Sequence, residues 1–198
     1  MDRPICTAVI GTGFIGMIHI DALRRLGVEI VGVLGSSPER GRRRAAESGL
    51  PPAYASLDEL LADQRVDVVH ITSPNSRHVE HARAVIAAGK HVVCEKPLAI
   101  NSTDASELLV LAKAAGVVHC VNFNQRFYAQ AQEMSARVRD GSIGDVRLVS
   151  GSYLQDWLLE ATDWNWRVDD TPRAICADRT NRDVRRRRRQ DGATRDPH

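Results

Sequence analysis

The sequence predicts an α/β protein built on a doubly wound parallel sheet. Three observations predict it. Short apolar runs alternate with helical segments over residues 5–121, a glycine cluster stands between the first run and the first helix, and glycines close most of the helices. Strands joined by helical segments of about 10–15 residues need crossover connections, which make neighbouring strands parallel.

Residues 5–10 form the first apolar run and end in glycines. Residues 14–26 carry Ile15, Ile18, Ala22 and Leu26 at helical spacing and stop at Gly27. Residues 29–34 make a second strand, followed by a helix over 38–48 whose Pro38 suits a first turn. Residues 57–62 give a short helix and 67–71 a third strand. A helix over 77–88 ends at Gly89, and 91–94 is a fourth strand. A helix over 103–115 ends at Gly116, and 117–121 is a fifth strand. The strands are mostly apolar on both sides, the pattern of a sheet covered on both faces.

Beyond Asn122 the pattern changes. Residues 125–140 read as one helix closed by Gly141, residues 145–154 alternate like a half-exposed strand, and Trp157, Trp164 and Trp166 cluster. The expected organisation is an α/β domain over 1–122, the start of a second α+β domain over 123–168, and an Arg-rich tail over 169–198. That tail holds 9 Arg and 6 Asp, an excess of +3, against +2 for the whole chain. Few apolar residues interrupt it, so disorder is expected there.

Hydrophobic residues make up 43% of the 198, enough for a packed core. No apolar run approaches the ~20 residues that cross a bilayer, and the first residues lack a signal-peptide pattern, so a cytoplasmic location is expected. Cys6, Cys94, Cys120 and Cys176 have neither disulfide nor metal spacing. The first three are expected to be small buried hydrophobes, and no metal is expected. The body has no basic face, so nucleic acid is not an expected partner despite Arg185–Arg189.

Gly11-Thr12-Gly13-Phe14-Ile15-Gly16 fits G-x-G-x-x-G directly after a strand and at the opening of a helix. In that context Gly11 serves the tight turn, Gly13 the close approach of backbone to a pyrophosphate, and Gly16 the packing of helix on strand. The amides at the helix start, including Phe14 and Ile15, would face the phosphates. This is the fingerprint of a Rossmann domain that holds NAD or NADP. A carboxylate at the tip of the second strand would bind the ribose hydroxyls of NAD. Here the segment is Gly35-Ser36-Ser37-Pro38-Glu39-Arg40. Ser36, Ser37 and Arg40 stand where a 2′-phosphate would be held, which favours NADP, while Glu39 keeps NAD open.

Further motifs carry a family resemblance. Thr72-Ser73-Pro74-Asn75 with His78 follows the third strand, Cys94-Glu95-Lys96-Pro97-Leu98 the fourth, and Asn122-Phe123-Asn124-Gln125-Arg126-Phe127 the fifth. With the glycine motif, these resemble the Gfo/Idh/MocA oxidoreductases over residues 5–168. The resemblance implies hydride transfer between NAD(P) and a hydroxyl carbon of a sugar, cyclitol or related polyol. It implies that Lys96 sits beside the nicotinamide and polarises or shares the transferring proton, that Pro97 shapes its turn, and that Thr72, Pro74, Asn75 and Glu95 line the cofactor. His78 either caps the next helix or lies near the nicotinamide. Arg126 either reaches the substrate or forms a surface salt bridge. Partial burial of Lys96 is expected to tune it for proton transfer.

The family pattern continues with G-G-x-x-x-x-x-D-x-G-x-H after the Trp-Asn-Trp-Arg segment. Here Arg173-Ala174-Ile175-Cys176-Ala177-Asp178 is a faint echo without the paired glycines or the histidine. The expectation is a chain truncated in its second domain, its residues 169–198 arising from a slipped reading frame or forming a genuine basic tail. Impaired turnover, aggregation and loss of the family's homo-oligomer are expected to follow. The alternative is a non-catalytic dinucleotide-binding module.

Overall fold

The computed structural model describes residues 3–152 together with 154, 156, 159 and 163. It divides the chain into two units, Met1–Phe123 and Asn124–His198.

The first unit contains six strands, β1 (Cys6–Ile10), β2 (Glu29–Leu34), β3 (Ala53–Tyr54), β4 (Val68–Ile71), β5 (His91–Glu95) and β6 (His119–Asn122). All pair in parallel, in the order β3-β2-β1-β4-β5-β6. The helices are α1 (Phe14–Arg25), α2 (Pro38–Glu47), α3 (Leu57–Ala62), α4 (His78–Ala87) and α5 (Ser102–Ala114), with a 3-10 turn over Asn75–Arg77 leading into α4. The chain winds outward from β1 to β3, then returns to β1's other edge as β4. The direction reverses between β1 and β4, and in open α/β sheets ligands bind outside the carboxyl ends of the strands at such a point.

Side-chain alternation along β1 supplies two cores. Cys6, Ala8 and Ile10 face one side with Leu60, Val69, Val85, Ile86 and Leu108. Val9 faces the other with Ile20, Leu23, Ile30, Val33 and Ala45. Helix ends follow local chemistry. Ser37, Ser56 and Asn101 cap α2, α3 and α5 by accepting main-chain N–H bonds. Gly27, Gly89 and Gly116 take positive φ just beyond α1, α4 and α5.

Three expectations are corrected in this unit. β3 carries no signal in the sequence, because two residues cannot show a period; it exists through pairing with Val33 and Leu34. Both faces are not covered throughout: β6 is the sheet edge and most of it is exposed. Cys120 on β6 is therefore exposed, whereas Cys6 and Cys94 are buried as expected. Burial, with the Glu95 charge in support, pushes the Cys94 thiol up to about 12.

In the second unit the expected single helix is a 3-10 turn, Asn124–Phe127, followed by α6 (Ala129–Arg139). Tyr128 between them is extended, with φ −65° and ψ 138°, which breaks the run. Arg137 pairs with Glu133 at 2.7 Å on α6. Gly141 closes it at φ +74°. The expected strand over 145–154 does not form: its described residues belong to no ladder, and an alternating pattern becomes a strand only when a partner strand hydrogen-bonds to it. The three tryptophans and the tail over 169–198 lie outside the described residues.

Candidate dinucleotide site

The glycine loop joins β1 to α1. Gly11 has φ +102°, and a Cβ there would stand 2.7 Å from the Thr72 main chain. A Cβ on Gly16 would stand 1.9 Å from the Gly11 carbonyl oxygen. The chain's own packing therefore demands glycine at both positions. Gly13 is different. Its φ of −76° and ψ of −170° suit any residue, and a Cβ there would meet nothing within 4 Å. The fold supplies no reason for glycine at position 13, but a pyrophosphate lying against that backbone does. Phe14 and Ile15 follow in the first turn of α1, their side chains exposed and their amides at the positive end of the helix dipole. The residues present fit a dinucleotide.

Neighbouring elements brace the loop. The Gly11 amide donates to the Leu34 carbonyl at 2.8 Å, and Thr72 Oγ1 lies 2.9 Å from the carbonyl oxygens of both Ile10 and Gly11. Arg44 of α2 donates through Nε to the Thr12 carbonyl at 3.2 Å. At the tip of β2, a Cβ on Gly35 would stand 2.6 Å from Gly41, so the chain hugs the start of α2. Ser36 and Arg40 are exposed there. Ser37 is committed as a helix cap, accepting the Arg40 amide at 3.3 Å. Its own main-chain amide, then Ser37, hold the Glu39 carboxyl below the usual carboxylate range. Glu39 pairs with Arg42 at 3.6 Å, and among the described residues Arg40 has no ion pair.

Pro74 is exposed and Asn75 half-buried in the turn after β4. His78 at the start of α4 is 1% exposed. Its Nδ1 lies 2.7 Å from the Pro97 carbonyl oxygen and its Nε2 2.8 Å from that of Ser73. The buried ring stands between the β4 turn and the β5 turn, and whichever nitrogen carries the hydrogen donates to the carbonyl it faces. The Lys96–Pro97 peptide is cis. Lys96 is exposed, contrary to the partial burial expected, because β5 ends at Glu95 and sheet packing stops with it. Arg126 belongs to the second unit, in the 3-10 turn, exposed, its carbonyl accepting from the Gln132 side chain.

The structure also assembles a polar cluster that sequence reading passed over. His19 of α1, His70 of β4, Glu95 of β5 and Asn122 of β6 meet on one side of the sheet. His19 Nε2 lies 3.2 Å from Glu95 Oε1, Asn122 Nδ2 donates to the same oxygen at 2.6 Å, and the Lys96 amide donates to Glu95 Oε2 at 3.1 Å. His70 Nδ1 lies 2.9 Å from His19 Nδ1. With His19 donating through Nε2 to Glu95, its Nδ1 accepts from His70, and Asn122 Nδ2, 3.0 Å from that same Nε2, spends its hydrogen on Glu95 Oε1. Burial, then the nearby His19, lower His70 to about 4. Glu95, read from the sequence as a cofactor residue, is thereby a hub that fixes the backbone at Lys96.

A six-stranded parallel sheet in this order, with its glycine loop at the reversal point, defines a dinucleotide-binding Rossmann fold. The family description "Oxidoreductase family, NAD-binding Rossmann fold", that of Gfo/Idh/MocA, matches residues 5–123. The chain belongs to that family. It is 40% identical over 148 residues to 1,5-anhydro-D-fructose reductase of Ensifer adhaerens, covering 71% of this chain and 44% of the relative. It is 34% identical over 149 residues to scyllo-inositol 2-dehydrogenase (NADP+) of Bacillus subtilis, covering 75% and 45%. Among solved structures, an NAD-binding oxidoreductase from Klebsiella pneumoniae superposes with a TM-score of 0.66 at 39% identity, covering 71% of this chain and 40% of that one. The chain thus spans less than half the length of these relatives. No helix among the described residues is long and apolar enough to cross a membrane, and no group of three or more His, Cys, Asp or Glu among them could hold a metal ion.

Proposed function

We propose that this chain carries the coenzyme half of an NAD(P)-dependent oxidoreductase that acts on a sugar, cyclitol or related polyol. The observation that carries the reading is Gly13: a glycine with ordinary dihedrals and open space around its Cβ position, between two glycines that the packing does require. Gly11, Gly13, Gly16 and the amides of Phe14 and Ile15 would hold the pyrophosphate. Thr72, Pro74 and Asn75 would line the crevice at β4, and Ser36, Ser37 and Arg40 would take the adenosine ribose. The exposed Arg40 and the absence of an acid at the strand tip support NADP over NAD.

Bound nicotinamide would supply the site that accepts or releases the hydride. Lys96, at the carboxyl end of β5, would take the proton from the reacting hydroxyl oxygen or return it. Glu95 fixes the Lys96 main chain, and His78 fixes Pro97, so that side chain starts from a defined point. Arg126 would contact substrate from the start of a second domain over 123–168. The names of the two curated relatives, a reductase of an anhydro-sugar and a dehydrogenase of an inositol, support this substrate class. The three cysteines among the described residues, each a free thiol, support a cytoplasmic location. The exposure of Lys96 favours a second reading, a module that binds dinucleotide without turnover.

Titration calorimetry of the full chain with NADP and NAD, then a screen of inositols and aldoses for coenzyme reduction, tests both. Binding with turnover, even at an impaired rate, supports the first reading, and binding alone the second. A folded chain that binds neither coenzyme overturns both.

A further inference from the structure

We infer that Arg44 is a positioning residue for the pyrophosphate, acting through the Thr12–Gly13 peptide. This rests on the coenzyme reading above. The carbonyl of Thr12 and the amide of Gly13 belong to one planar trans peptide, so they point in opposite directions. Arg44 Nε holds that carbonyl at 3.2 Å, on the α2 side of the loop. Fixing the oxygen towards α2 turns the Gly13 N–H away from α2. Gly13 is the residue that caps α1, and its amide is one of those a helix start leaves for an anion.

Arg44 is well placed to do this firmly. It sits in a helix anchored by the buried Gly41 and Ala45, and α2 is held to the β2 tip by the Gly35–Gly41 contact. Its only ion pair among the described residues is a loose one with Glu47 at 3.8 Å. Arg40, one turn earlier, has no hydrogen bond to the glycine loop among the described residues and would meet only the adenosine ribose. The two arginines therefore have separable duties: Arg44 orients an amide that every pyrophosphate ligand uses, and Arg40 answers only to a 2′-phosphate.

The test compares Arg44→Ala, Arg44→Lys and Arg40→Ala with the unsubstituted chain, titrating ADP, NAD and NADP by calorimetry and following the Gly13 amide by 1H–15N NMR. Arg44→Ala should weaken all three ligands by the same factor, about fivefold to tenfold, leaving the NADP-to-NAD ratio unchanged. The Gly13 amide resonance should move in the free protein and lose its response to ADP. Arg44→Lys, which keeps a donor, should recover part of the affinity. Arg40→Ala should weaken NADP alone. The inference is overturned if Arg44→Ala binds ADP within twofold of the unsubstituted chain, or weakens NADP only. If the unsubstituted chain binds none of the three ligands, the coenzyme reading itself fails and this inference fails with it.

Discussion

Replacing Gly13 with alanine separates the demands of the fold from those of the ligand. The added methyl meets no atom within 4 Å, and the backbone conformation at this position is open to alanine. Removing a glycine from the unfolded chain stabilises by about 0.4–1 kcal/mol. Alanine is a poorer helix cap than glycine by a comparable amount, of order 0.5–1 kcal/mol. The two nearly cancel, so thermal unfolding followed by circular dichroism should shift by only a few degrees in either direction. Binding should respond very differently. A methyl on the surface facing the pyrophosphate holds it off the loop and loses at least one hydrogen bond to a charged oxygen, about 1.5–3 kcal/mol, or roughly tenfold to a hundredfold in affinity. Calorimetric titration of Gly13→Ala with NADP and NAD measures it. Unchanged affinity for both coenzymes in a variant of unchanged stability would refute the argument that a ligand, rather than the fold, requires glycine there.

Gly16→Ala should behave oppositely, since its Cβ would stand 1.9 Å from the Gly11 carbonyl oxygen: a loss of about 1–3 kcal/mol of stability, read as a lowered unfolding midpoint in urea. His78→Ala removes the buried ring that stands between the Pro97 and Ser73 carbonyls and its hydrogen bond, and opens a cavity, costing about 2–4 kcal/mol; a midpoint unchanged from the parent chain rules out a structural role for the ring. The His70 imidazole, held at about 4 against an ordinary 6.5, favours its neutral form in the folded state. The unfolded chain therefore takes up the proton first, and stability that is complete above about pH 6.5 is lost as pH falls towards 4, by up to about 3 kcal/mol. His81, also lowered by burial, works in the same direction. Urea midpoints measured across this range should fall more steeply for the parent chain than for His70→Asn, and parallel curves would remove His70 from the explanation.

The fold was legible where local chemistry and the sheet agree. Gly27, Gly89 and Gly116 end helices because only glycine adopts positive φ without strain, and the sequence marks them openly. β1 and β2 read clearly because they are buried along almost their whole length. β3 could not be read, because its pairing is decided by Val33 and Leu34, some 20 residues away. The run over 145–154 misled for the converse reason, alternation without a partner. Within the site, the glycine loop announces itself because its three glycines fall within six consecutive residues. The polar cluster does not: His19 and His70 are 51 positions apart, and Asn122 and His19 are 103. Only the register Glu95↔Asn122 between β5 and β6, and the packing of α1 against the sheet, bring them together.

That convergence on Glu95 has an evolutionary consequence. Three donors reach one side chain from a helix, a neighbouring strand and the next peptide unit, so no single replacement leaves the remainder satisfied. Drift at positions 19, 95 and 122 should be correlated, with descendants keeping the trio or exchanging it together, while Phe14, its ring out in water, varies freely.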